Sequence, residues 1–168
     1  LFFQPGISIA NHAESGRALD SFKRERRFAK ILESLKPGDY VFIQFGHNDE
    51  PGKPGRSTTI EEYRQYLNQY VDDACAAKAT PVLVTSLIRR QFDKVDPHTI
   101  HSTLEVRADV VRDIAREKKV PLIELHDRSK ELCEPLGRDG CLVFSPPKED
   151  GQFDGTHLNA KGAVLSGQ

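Results

Sequence analysis

Asp154 and His157 stand three positions apart in the run Asp154-Gly155-Thr156-His157. At that spacing the carboxylate can turn back and accept a hydrogen bond from one imidazole nitrogen. Such a contact fixes the tautomer and leaves the other ring nitrogen as a general base. Gly155 gives the turn its backbone freedom, and Gly162-Ala163 just beyond are small enough for a helix to pack closely. Asp-x-x-His alone also serves as a surface pair or a turn, so the chemistry needs company. A second stretch supplies it: Gly46-His47-Asn48-Asp49 directly follows an apolar run. An Asn amide where strand becomes loop can donate a hydrogen bond to developing negative charge, the task of an oxyanion-hole donor. Asn48 and Asp49 would equally suit a plain turn. The third piece is Asn11-His12-Ala13-Glu14-Ser15-Gly16-Arg17, where Gly16 lets a backbone N–H approach a substrate unobstructed, or simply makes a turn.

The elements that must position these groups follow from hydrophobic periodicity. Ile7-Ser8-Ile9-Ala10 reads as a strand, and Leu19 to Leu35 as one helix with Phe28, Ile31, Leu32 and Leu35 on a face. Tyr40 to Phe45 is nearly all apolar, the pattern of a parallel strand buried on both faces. After a loop rich in Pro and Gly at 50–58, Thr59 and Glu62 form a capping box, opening a helix with Tyr63, Leu67, Tyr70, Val71 and Ala74 along one side. Pro81 to Leu87 is another strand, and Arg89 to Thr99 a long loop. A third helix carries Leu104, Ala108, Val111 and Ala115, Pro121 to Leu125 is a fourth strand, and a short helix from Arg128 to Leu136 ends at Gly137. Strand and helix alternate every roughly 35–40 residues, which implies an α/β fold with a parallel sheet covered on both faces. In such folds ligands bind beyond the carboxyl ends of the strands, so the loops after Ala10, Phe45 and Leu87 and the Asp154–His157 stretch are expected on one rim.

Composition narrows the class. A chain of 168 residues forms one domain with a real core, and a formal net charge of −1 provides no field favouring nucleic acid or an anionic membrane. The basic run Lys23-Arg24-Glu25-Arg26-Arg27 reads as a solvated helix face. No apolar run approaches the roughly 20 residues that span a bilayer. Cys75, Cys133 and Cys141 lack metal-ligand spacing. Cys75 reads as a core thiol, and Cys133 and Cys141 are near enough in sequence to bridge without anything requiring it. The spacings of His12, His47, Asp49, Asp154 and His157 match no metal-ligand pattern.

Together and in order, these pieces resemble the SGNH (GDSL-type) hydrolases, most closely the rhamnogalacturonan acetylesterase group. The residues that carry the resemblance are the Asn11 to Arg17 segment, Gly38-Asp39-Tyr40-Val41-Phe42-Ile43-Gln44-Phe45-Gly46-His47-Asn48-Asp49, Pro81 to Ser86, and Asp154 to His157 with Gly162-Ala163. The resemblance implies a three-layer α/β/α sandwich of flavodoxin-like type in a single domain spanning 1–168. It implies Gly16 (backbone N–H) and Asn48 (side-chain amide) as the oxyanion hole, His157 as general acid/base and Asp154 as its orienting acid. The implied reaction removes acetyl groups from a pectic polysaccharide through a serine ester, in a secreted or periplasmic protein. The implied partner is an acetylated polysaccharide or small ester, and the resemblance implies no metal or organic cofactor; the balanced charge speaks against nucleic acid and membrane as partners.

One part of that pattern is missing. The family carries its nucleophilic serine in a Gly-Asp-Ser motif on the first strand, and residues 1–168 contain no Gly-Asp-Ser. Ser15, Ser86 and Ser145 lack that context, and Ala18 stands where the family usually has a serine after Gly16-Arg17. The expectation is therefore a fragment incomplete at both ends, inactive by itself, whose nucleophile lies N-terminal to Leu1. The alternatives are a non-catalytic carbohydrate-binding descendant of the fold and an SGNH lipase, thioesterase or arylesterase.

Overall fold

A computed structural model describes residues 6–149, 152 and 154–167. The chain divides into two compact units, one made of Ser8–Ser86 with Leu104–Glu124, the other of Leu1–Ile7, Leu87–Thr103 and Leu125–Gln168.

The first, the sheet unit, contains α1 (Leu19–Arg24), α2 (Arg27–Ser34), β1 (Tyr40–Ile43), α3 (Ile60–Ala76), β2 (Thr80–Val84), α4 (Glu105–Lys118) and β3 (Leu122–Ile123). Its strands lie parallel in the order β1-β2-β3, with Val41 beside Pro81, Ile43 beside Leu83 and Leu83 beside Leu122. The parallel α/β architecture is the expected one. Because side chains alternate across a strand, Val41, Ile43 and Leu83 point into the core with Leu67, Tyr70 and Val71 of α3 and Val111 and Ile114 of α4. The Thr59–Glu62 capping box forms as the sequence predicts: Glu62 N donates to Thr59 Oγ1 (3.1 Å) and Thr59 N donates to Glu62 Oε2 (2.8 Å).

Several expectations need correction. Ile7–Ala10 is not a strand. It pairs with no strand among the described residues, and Ile7 and Ile9 are exposed, since an extended segment without a hydrogen-bonding neighbour has no ladder to join. The single helix over Leu19–Leu35 is two helices, broken at Arg26, whose φ is +58°. Phe22 and Phe28 both reach the core, yet six residues along a straight helix would set them about 120° apart. The break lets both point inward. β1 is buried on one face only, leaving Tyr40 and Phe42 exposed. The strand expected at Pro121–Leu125 shortens to Leu122–Ile123 because Leu125 already opens the next helix. Cys75 is exposed, lying one residue, or 100°, beyond Ala74 at the edge of the buried stripe of α3. The basic run is solvated as read, Arg24 pairing with Asp20 and Arg27 with Glu25 and Glu14.

The second, the loop unit, contains α5 (Leu125–Cys133), α6 (Gly137–Gly140), a 3-10 turn at Cys141–Phe144 and α7 (Ala160–Ser166). Ile88, Ile100, Cys133, Cys141 and Phe144 form its core, joined by Phe92, Leu158 and Leu165. The long loop read at Arg89–Thr99 is real, pinned by an antiparallel bridge between Phe92 and Ile100. The helix expected from Arg128 to Leu136 runs instead from Leu125 to Cys133, and Gly137, with φ +69°, opens α6 rather than ending it. Cys133 and Cys141 are both free thiols; Cys141 Sγ donates to Cys133 O at 3.4 Å. No helix among the described residues is long and apolar enough to cross a membrane.

Candidate active site

The Asp154–His157 turn forms in the loop unit. Asp154 Oδ1 accepts from the backbone amides of Thr156 (2.7 Å) and His157 (2.9 Å), closing the turn on its own side chain. Oδ2 is thereby aimed at His157 Nδ1, 2.7 Å away. Burial alone would raise the Asp154 pKa. The imidazole bond and the two amides outweigh it and hold the carboxyl well below its ordinary range. An ionised carboxylate only accepts, so Nδ1 carries the proton and Nε2 of the neutral ring is left with its lone pair. The His157 side chain is 70% exposed against 21% for Asp154, so the basic edge meets solvent while the acid is shielded.

Neighbouring residues fasten this turn. Asp154 N donates to Pro146 O (3.0 Å), and Arg90 N donates to Gly155 O (2.8 Å). Asn159 caps α7 by accepting from Gly162 N (3.0 Å), and its Nδ2 donates to Val143 O (2.9 Å). A Cβ on Gly162 would fall 2.9 Å from Phe144 O, so the close packing read from Gly162-Ala163 does require glycine. Arg90 reaches the turn from the long loop: its Nη2 donates to Asp154 O (2.8 Å) and His157 O (2.6 Å).

In the sheet unit the structure brings Gly16 and Asn48 together. Gly16 adopts φ +74°, and Asn48 Nδ2 donates to the carbonyl of the next residue, Arg17, at 3.3 Å. An amide nitrogen carries two donors, so one N–H of Asn48 remains for another acceptor. Arg56 ties the two together: its Nη1 donates to Gly16 O (3.1 Å) and to Asn48 Oδ1 (3.5 Å). Below them Asp49 is fully buried, accepting from Leu19 N at 3.0 Å, while Arg107 Nη2 donates to Asp49 O at 2.6 Å. Burial pushes the Asp49 carboxyl up to about 6, against the opposing pull of the Leu19 amide and Arg107. At Gly46, φ +146°, a Cβ would fall 2.3 Å from Ser86 Oγ, so only glycine turns the chain there.

Two of the three serines weighed from sequence have other duties, and the third, Ser15, is exposed. Ser86 is buried and donates to Phe45 O at 2.6 Å, and Ser145 is buried and accepts from Arg90 Nη2 at 3.0 Å. His12 lines a cavity of about 210 Å³ with Phe22, Glu25, Arg27 and Lys30. Sequence reasoning passed over Arg56, Arg90, Arg107 and a second histidine pair. His126 Nδ1 lies 3.0 Å from Asp127 Oδ1, and its Nε2 lies 2.8 Å from Ser102 Oγ. This is a Ser–His–Asp chain in hydrogen-bond terms, but the His126 side chain is wholly buried and offers a substrate no ring edge. The adjacency of His126 and Asp127 was a possible signal; the arginines, which act by donating to backbone carbonyls, left none.

A parallel α/β fold carrying a carboxylate-oriented, solvent-facing histidine fits a class of ester hydrolases. The chain belongs to the GDSL-like Lipase/Acylhydrolase family, which it matches over residues 4–165. It is 37% identical to rhamnogalacturonan acetylesterase RhgT of Bacillus subtilis over 96% of this chain and 72% of that protein. The crystal structure of Bacillus subtilis protein YxiM superposes with a TM-score of 0.80 at 26% identity, over 95% of this chain and 43% of that one. Axe2, an acetylxylan esterase from Geobacillus stearothermophilus, shares the fold with a TM-score of 0.66 at 21% identity, over 90% of this chain and 65% of that one. The chain thus spans less than two thirds of both solved relatives.

Proposed function

We propose that this chain is the part of a carbohydrate acetylesterase that carries its base and oxyanion donors, acting on acetylated rhamnogalacturonan. The observation that carries the reading is the Asp154–His157 turn, a shielded carboxylate 2.7 Å from the Nδ1 of an exposed imidazole. The likeness to RhgT supports the substrate class.

In this reading His157 Nε2 takes the proton of a serine hydroxyl as its oxygen bonds to the acetyl carbon. The carbonyl oxygen becomes an oxyanion, met by the Gly16 N–H and the second N–H of Asn48. The tetrahedral intermediate collapses, the bond to the sugar oxygen breaks, and His157 returns the proton to that oxygen. Water repeats the sequence on the acetyl-serine, releasing acetate and restoring the hydroxyl. Asp154 stays ionised throughout and stabilises the imidazolium. The serine belongs to a Gly-Asp-Ser block outside residues 1–168, and export to where pectic polysaccharide occurs is part of the same reading.

The test is acetate release from acetylated rhamnogalacturonan and from p-nitrophenyl acetate. Residues 1–168 alone are expected to show no turnover that depends on His157, whereas the chain joined to a Gly-Asp-Ser segment is expected to show it. Turnover by residues 1–168 alone that His157→Ala abolishes would place the nucleophile within this sequence and refute that part of the reading.

A further inference from the structure

The loop unit contains a guanidinium that the mechanism does not use. Arg90 is half-buried, and its Nε and Nη2 both donate to Ser145 Oγ, at 3.2 and 3.0 Å, which locks the plane of the fork. Ser145 is buried, and its own carbonyl accepts from Asn159 Nδ2 at 3.3 Å, so the anchor is itself held. From that fixed plane Nη2 reaches the carbonyls of Asp154 (2.8 Å) and His157 (2.6 Å), the first and last residues of the turn. The Arg90 backbone amide holds the carbonyl between them, on Gly155, at 2.8 Å.

We propose that Arg90 is a positioning residue for the general base, clamping both ends of the Asp154–His157 turn so that the carboxylate stays on Nδ1. The inference rests on the reading of His157 as that base. The physical case is one of freedom. His157 is exposed and lies outside helix and strand, so its ring has other rotamers open to it. The bond from Nδ1 to Asp154 survives only while the two residues keep their separation. Drawing both end carbonyls to one nitrogen fixes that separation. Arg90 is planar and charged, so it serves two carbonyls and Ser145 at once, which a lysine ammonium on a flexible stem does less well. The guanidinium donates to the two backbone carbonyls and its charge also attracts the Asp154 carboxylate, so its hydrogen bonds to the turn are made through the backbone.

The test is the tautomer of neutral His157, read by long-range proton–nitrogen NMR on the 168-residue chain about two pH units above the ordinary histidine pKa. The wild-type ring is expected as the Nδ1–H form. In Arg90→Ala the ratio should move about tenfold toward Nε2–H, the form an unheld imidazole prefers, matching the loss of one charge-assisted hydrogen bond. Millimolar guanidinium should restore it. Arg90→Lys keeps the charge without the fork and should give a mixture. Either folded variant retaining the wild-type Nδ1–H spectrum overturns the proposal. So does failure of both to fold, which would make Arg90 a stability residue. The spectrum needs no turnover, so its failure leaves the esterase reading standing, while failure of that reading shows in acetate release with the spectrum unchanged.

Discussion

Two histidines in the loop unit each bond an aspartate through Nδ1, His157 at 2.7 Å and His126 at 3.0 Å, and they end in opposite circumstances. The His157 side chain is 70% exposed beside a shielded acid, whereas the His126 side chain is wholly buried beside an acid that is 50% exposed. His126 even has a serine hydroxyl on Nε2, as a catalytic triad would. The comparison teaches that a hydrogen-bond chain does not make a base: Nε2 must also meet the reacting group. A shielded carboxylate with an open imidazole can orient and then receive a proton, while a sealed imidazole between two partners fastens structure.

The sharpest way to break this comparison is to neutralise each acid in turn, in the chain joined to a Gly-Asp-Ser segment. Asp154→Asn turns an acceptor into a possible donor and favours the wrong tautomer, so kcat should fall about 10³–10⁴-fold. Asp127→Asn should leave kcat within about tenfold per folded molecule. Equal losses would erase the distinction. Next in size is Asn48→Ala, which in the proposed mechanism removes one oxyanion donor and should lower kcat about 10²–10³-fold with little change in KM. A near-normal rate would remove Asn48 from the mechanism.

Stability should reverse the ranking of the two histidines. His126→Ala leaves a cavity and takes one partner from the Ser102 hydroxyl, at a cost of about 2–4 kcal/mol in urea unfolding. His157→Ala, on the exposed side of its turn, should cost about 1 kcal/mol or less. A further effect concerns pH and the two aspartates held in opposite states. Asp49 is raised to about 6, so between roughly pH 4 and 6 the folded chain binds a proton that the unfolded chain has released. Its contribution is full below about pH 4 and is lost as pH rises through 6, on the order of 3 kcal/mol. Asp49→Asn should flatten that slope in urea titrations. Asp154, held low, behaves oppositely: its contribution is present at neutral pH and declines as pH falls below about 4.

Much of this was legible in the sequence because it depends on local patterns. The Thr59–Glu62 cap, the buried stripe of α3 and the turn-back of Asp154 onto His157 each lie within a few turns of chain. What escaped depends on distant partners. Nothing near Ile7–Ala10 says whether a neighbouring strand pairs with it, and nothing near Tyr40 and Phe42 says whether their face is covered. The break at Arg26 answers a demand of the core, that Phe22 and Phe28 both enter it, which periodicity alone read as one continuous helix. Arg56 and Arg90 are invisible for the same reason: they hold backbone carbonyls 40 and 64–67 positions away, and a carbonyl has no letter in the sequence.

The most direct measurement is acetate release at saturating acetylated rhamnogalacturonan by the chain joined to a Gly-Asp-Ser segment, with and without His157→Ala. The account predicts a loss of about 10³-fold or more in kcat while the folded structure is kept. A His157→Ala protein that still releases acetate at close to the wild-type rate would contradict it.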